Sequence, residues 1–226
     1  KDAKLNGVSI HGSVLLSLGI SCANGKNMII IPRGSKLPVK RFTNATTIRD
    51  KQRNVGFDIV EGERPMAADN IKLGHVTVSG IQIAKRGVPK IEIAMTINED
   101  GILIVTGRDI TTHVAVTATV ENKGNLPHDA VRKMIRQAEK EKFNDDLKMK
   151  RAERKTELVY FLERAENALK DENKTKNLKP ADKAQFEQYV NDYKTWVEKH
   201  PDEIPSAYQR KYNTLYYALN KIMPVK

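Results

Sequence analysis

Reactive side chains are few in this chain, and they do not gather. Cys22 is the only cysteine, so no intrachain disulfide and no cysteine metal site can form. No activating partner accompanies it in the sequence, and a lone thiol of this kind behaves as a small apolar residue. The five histidines (His11, His75, His113, His128 and His200) are scattered, with no pair at metal-ligand spacing. Neither common glycine-rich phosphate loop is present, and nothing matches a nucleophile elbow. Carboxylates are plentiful, but no catalytic pair can be singled out among so many surface charges. The expectation is a chain with no catalytic residue, metal or cofactor of its own. Binding is the chemistry left to look for.

Two halves with different periods would have to carry it. Up to about Glu121 apolar residues alternate: Val55, Phe57 and Ile59, then Ile91, Ile93, Met95 and Ile97, then Val114, Val116, Ala118 and Val120. Val76 and Val78 make a shorter example, while Met28 to Ile31 and Ile102 to Val105 are continuous apolar runs. Turn residues punctuate them at Asn24-Gly25, Gly34, Gly62, Gly80, Gly87-Val88-Pro89 and Asp100-Gly101. About eight short, half-buried or buried strands with short turns predict an antiparallel β-sandwich.

Past Lys123-Gly124-Asn125 the spacing turns helical, with Val131, Met134, Ile135 and Ala138 on one stripe. A long charged helix then runs to about Asn173, with a stronger stripe of Leu158, Phe161, Leu162, Ala165 and Leu169. Pro180 opens a further helix and Pro205 a last one, which together predict a small helical bundle. Between Glu139 and Lys155 apolar residues are sparse and follow no repeat. Such a helix either covers another surface or is simply a solvated connector.

Net charge is +11, which invites a nucleic-acid reading. Lys and Arg number 16 against 11 Asp and Glu up to Asn122, and 23 against 17 beyond it, an excess of +5 and then +6. Basic residues spread evenly and mixed with acids do not make a phosphate footprint, so no nucleic-acid partner is expected. No apolar stretch approaches the roughly 20 residues that span a bilayer, so no membrane partner is expected either. The chain starts at Lys1 without methionine, which reads as a fragment or processed product. No targeting signal accompanies it, and the expected compartment stays between the cytoplasm and the endoplasmic reticulum lumen.

The runs EGERPMAADNIKLG (Glu61 to Gly74) and KRGVPKIEIAMTINEDGILIVTGRD (Lys85 to Asp109) resemble the C-terminal substrate-binding domain of the 70-kDa heat-shock chaperone family, in a divergent form. Leu16-Ser17-Leu18-Gly19-Ile20 resembles that domain's first strand and Ile31-Pro32-Arg33 its second. The likeness runs from about Val8 onward, dense through the β half and thin after about Lys142. It implies residues 1–12 as a linker remnant, 13–124 as a peptide-binding β-sandwich and 125–226 as an α-helical lid. It also implies an ATPase domain, using ATP and magnesium, outside this chain. Its implied partners are unfolded or extended polypeptides, J-domain co-chaperones and nucleotide-exchange factors.

Carried onto this sequence, the resemblance lines a peptide cleft with Ile20, Cys22, Ala23, Ala45, Ile48, Val55, Phe57 and Ile91. Ile20, Val55 and Phe57 would form the central pocket, and Ala23 and Ile48 the pair arching over a bound backbone. Arg86 takes the place of a latch arginine, with Glu157 as its lid partner and Asp50 as a second lid contact. Read without the family, the strand residues are plain sandwich core and Arg86 a solvated loop charge.

Several positions depart from the family pattern. The linker reads Val8-Ser9-Ile10-His11-Gly12 instead of a leucine run between aspartates, and Gly12-Ser13-Val14-Leu15 replaces Asp-Val-Thr-Pro. Ala45 stands where a larger apolar residue is common. Gly56 interrupts a strand, which weakens it or permits a close approach. The turn from Asp109 to His113 lacks glycine. The chain ends Ile-Met-Pro-Val-Lys226, with neither the cytosolic Glu-Glu-Val-Asp tail nor a retrieval signal. These departures keep a second reading alive: an interaction or scaffold module that kept the fold but lost ATP-coupled peptide capture.

Overall fold

A computed structural model describes residues 12–120 and 126–225. The expectations for the linker at Val8 to His11 and for the change of period at Lys123 to Asn125 lie outside the described residues. The chain divides into two compact units, Lys1–Lys142 and Phe143–Lys226.

The first unit is a β-sandwich of eight strands: β1 (Leu18–Ser21), β2 (Asn27–Ile31), β3 (Val39–Ala45), β4 (Asn54–Glu61), β5 (Ile71–Ser79), β6 (Ile91–Ile97), β7 (Leu103–Asp109) and β8 (Ala115–Val120). One sheet runs β2-β1-β4-β5 and the other β3-β6-β7-β8, with every pairing antiparallel. Alternation decides which faces meet. Val55, Phe57 and Ile59 of β4 are buried while Gly56 and Asp58 face outward, and β6 buries Ile91, Ile93, Met95 and Ile97. Together with Ile20, Val76 and Val105 these residues form one core between the sheets. Burying each large aliphatic side chain contributes roughly 1.5 to 3 kcal/mol.

Glycines are spent where backbones approach. A Cβ on Gly56 would lie 3.1 Å from His75 Nε2 on β5, so the strand-interrupting glycine is a close approach on the outer face. The glycine-free turn after β7 is closed by His113, which takes φ 59° itself.

Helix α1 (His128–Lys170) is continuous across the boundary between the units. It stops slightly earlier than its stripe predicts, because Asp171 caps the short α2 (Glu172–Thr175) by accepting from the Asn173 N–H at 3.1 Å. Pro180 and Pro205 sit in the first turns of α3 (Pro180–Lys199) and α4 (Pro205–Ile222), where a missing N–H costs nothing. The second unit's core joins Leu158, Phe161 and Leu162 of α1 to Phe186 and Val190 of α3 and Leu215 of α4. Trp196 stacks on His200 at 4.9 Å and meets Tyr208 edge-on, while Lys211 Nζ lies 5.0 Å from the indole centroid. The charged stretch from Glu139 is the middle of α1. Phe143 and Leu147 there are exposed, and Arg151 reaches Asp202 before α4 at 3.1 Å. Among the described residues no helix is long and apolar enough to cross a membrane.

Candidate functional site

The eight residues expected to line a cleft occupy three levels of the sandwich. Ile20 on β1, Val55 and Phe57 on β4 and Ile91 on β6 belong to one core cluster, with exposures of 3%, 8%, 3% and 0%. Ala45 ends β3 opposite Ile91, half-buried against that cluster. Cys22 and Ile48 are half-buried in loops, and Ala23 is exposed. Burial falls from these strand residues (the proposed floor) to the loop residues (the proposed rim), because alternation buries the first and turns expose the second.

Hydrogen bonds hold both rim loops. After β1, the Cys22 N–H donates to the Lys26 carbonyl at 2.8 Å, closing a turn in which Gly25 takes φ 80°. In the 46–53 loop, the Ile48 and Arg49 N–H groups both donate to Gln52 Oε1, at 3.1 and 3.2 Å. That loop is fastened to the 80–90 segment. Lys51 N–H donates to the Ala84 carbonyl at 2.8 Å, Gly87 N–H to Thr47 at 3.0 Å, and Thr46 Oγ1 to Pro89 at 2.7 Å.

The two latch residues of the first unit come together within this clasp. Asp50 Oδ1 accepts the Arg86 backbone N–H at 2.8 Å. Glu157, in the second unit, accepts from Arg154 Nη1 three residues earlier at 2.8 Å, with both side chains about half exposed.

Burial raises the Cys22 thiol above its ordinary value, with Lys26 pulling weakly the other way, so the protonated form is favoured at neutral pH. Its chemistry is therefore that of a small apolar side chain. Below Ile91, the floor depends on a residue that the sequence reading missed. Asp109, fully buried, accepts N–H groups from Gln82 at 2.7 Å, Thr111 at 2.7 Å and Thr112 at 3.1 Å. Burial pushes its carboxyl up, but these backbone donors and His113 outweigh it and hold the group below its usual value. The signal was present: Asp followed by Ile-Thr-Thr is a side-chain-closed turn, with the acid bonding the backbone two residues on.

Gly107 was missed as well. A Cβ there would lie 2.5 Å from Val78 Cγ2 and 3.8 Å from the Phe57 ring, so its absence lets the floor close.

The same sandwich holds a cavity of about 700 Å³, bounded by apolar Val14, Leu18, Leu37, Ile59 and Leu103 and by polar Ser13, Lys72 and His75 among others. None of the eight cleft residues lines it. Glu61 stands at its wall, its carboxyl raised by burial. Nearby Asp58 is lowered by hydrogen bonds from Lys72 at 2.7 Å and His75 at 2.6 Å.

Comparison with known proteins bears on this arrangement as a whole. The family described as Hsp70 protein matches residues 2–225. The chain is 36% identical over 208 residues to the chaperone protein DnaK of Mycoplasma mycoides subsp. mycoides SC, covering 92% of this chain and 32% of that protein. It is 32% identical over 209 residues to heat shock cognate 70 kDa protein 3 of Dictyostelium discoideum, covering 92% and 33%. Against the DnaK of Ureaplasma parvum it is 37% identical over 177 residues, covering 78% and 29%. The chain spans about a third of the length of these relatives.

Proposed function

The chain belongs to the Hsp70 family, and on that premise we propose that it is the family's peptide-gripping region. In this reading the first unit captures extended apolar segments of unfolded polypeptides, and the helical unit serves as its lid. Affinity would come from main-chain hydrogen bonds and choice from one apolar side chain sunk among Ile20, Val55 and Phe57. A single Leu or Ile side chain supplies roughly 1.5 to 3 kcal/mol, which suits weak and promiscuous capture. The observation that supports the reading is the gradient of burial: four strand residues share one core, and two hydrogen-bonded loops carry half-buried Ile48 and exposed Ala23.

Nucleotide control belongs to a part of the protein outside this chain. Among the described residues no three His, Cys, Asp or Glu side chains come together as a metal-holding group. J-domain co-chaperones and nucleotide-exchange factors are the partners this reading assigns to the whole protein. Release would follow from different affinities in the open-lid and closed-lid states.

A second reading, a scaffold module that no longer captures peptide, is favoured by the burial of Ile20, Phe57 and Ile91 within the chain's own core. Titration of a fluorescent Leu-rich heptapeptide separates the two. A charge at Phe57 would unfold the sandwich, so the informative variant is Ile48→Asp, on a half-buried loop. Saturable binding that Ile48→Asp abolishes, with the melting temperature kept, supports capture. Absence of binding in both proteins supports the scaffold.

A further inference from the structure

Along the sequence the basic excess is evenly spread, but the fold gathers part of it. The 46–53 and 80–90 segments, clasped to each other as described, carry Arg49, Lys51, Arg53, Lys85, Arg86 and Lys90 against a single carboxylate, Asp50. Asp50 is itself engaged by the Arg86 N–H at 2.8 Å. Arg49, Lys51, Arg53, Lys85 and Lys90 are all exposed, and among the described residues they make no ion pair. The loop that closes at Gly25 adds Lys26 and no acid. These segments hold Ile48 of the arch and lead into Val55 and Ile91 of the floor. A cluster of exposed basic residues therefore flanks the residues assigned to the cleft.

Resting on the reading of those residues as a peptide cleft, we propose that the cleft selects apolar segments flanked by acidic residues. An apolar floor takes the middle of the segment, and the rim meets the side chains on either side of it. Exposed ion pairs contribute only about 0 to 1 kcal/mol each, so two or three flanking Asp or Glu residues amount to about a tenfold preference. The rim acts collectively because its charges share one clasp. At 0.1 M salt the screening length is about 10 Å, comparable with such a cluster, and near 1 M it shrinks to about 3 Å. Charge of one sign also speeds encounter with ligands of the other. The selection is thus expressed in on-rate and in salt dependence.

The test uses the whole 226-residue chain and three labelled peptides with one Leu-rich core, flanked by Asp, Ser or Lys. Fluorescence anisotropy at about 50 mM salt should rank them Asp, Ser, Lys, with about a tenfold span that narrows at about 500 mM. The double variant Lys51→Glu, Lys85→Glu turns six basic residues against one carboxylate into four against three, and should shrink most of the span between the Asp and Lys peptides. Equal or tighter binding of the Lys-flanked peptide, or a ranking insensitive to salt, overturns the proposal while leaving the cleft in place. Failure of the Ser-flanked peptide to bind overturns the cleft reading itself, and the rim's role with it. A single-stranded RNA that competes away the Asp-flanked peptide but not the Ser-flanked one would reassign the rim to phosphate.

Discussion

The Asp50 carboxylate accepts the Arg86 backbone N–H at 2.8 Å. The loop clasp and any long-range role of the Arg86 side chain are therefore separable by mutation. Arg86→Ala keeps the donor to Asp50, so stability should move by less than about 0.5 kcal/mol. If the side chain latches a lid, peptide dissociation measured by stopped-flow displacement should accelerate about two- to fivefold, the yield of one exposed pair. Unchanged off-rates would remove the latch assignment. Asp50→Ala, by contrast, loosens the clasp and should perturb Ile48 directly.

Asp109 should make the sandwich acid-sensitive. Its folded pKa lies below the unfolded value of about 3.9, so its contribution is complete above that value and is lost as pH falls through the folded one. Asp109→Ala leaves three backbone N–H groups without their acceptor and should cost about 3 to 5 kcal/mol at neutral pH. The difference in stability between the parent and Asp109→Ala, followed by urea denaturation, should shrink as pH drops below about 4. A constant difference across that range would contradict an ionised, hydrogen-bonded Asp109.

At Gly107 a methyl group is enough to disturb the floor. Gly107→Ala meets Val78 Cγ2 at 2.5 Å in a buried position and should destabilise the chain by roughly 1 to 3 kcal/mol. Adding Val78→Ala opens the space that the new methyl needs. In a thermodynamic cycle the double variant should then be more stable than the sum of the single effects. Simple additivity would show that the contact is not what limits the site.

Cys22 offers a chemical probe of the rim. With its thiol favoured over thiolate and half-buried, it should alkylate with iodoacetamide more slowly than a free cysteine at neutral pH. A saturating Leu-rich peptide should slow it further. Labelling unaffected by peptide would place the bound segment away from Cys22.

Much of the sandwich was legible because alternation and burial coincide, as in β4 and β6, where inward and outward residues differ in polarity. Strand β3 was not, because its pattern is inverted. Phe42, its largest apolar residue, is 68% exposed, while half-buried Thr43 and Ala45 face the core side opposite Ile93 and Ile91. The first part of β5 was hidden for another reason. Ile71 and Leu73 are only half-buried, and a bulge at Ile59/Val60 resets their pairing with β4. The floor residues of the candidate site could be named only through the family resemblance, since strand alternation by itself marks them as core. The contacts that hold them could not, because Asp109 and Gly107 act through segments distant in sequence. The gathering of basic residues was hidden for a related reason: loops 46–53 and 80–90 are separate in sequence and joined only by the fold.

The only tryptophan, stacked on His200, and all seven tyrosines lie beyond Lys142, in the helical unit. Near-ultraviolet absorbance and intrinsic emission consequently report on the helices alone, while the strands remain optically dark. Replacing Phe57 by tryptophan in a Trp196→Phe background would move the lamp into the sandwich and let the two halves be watched in turn.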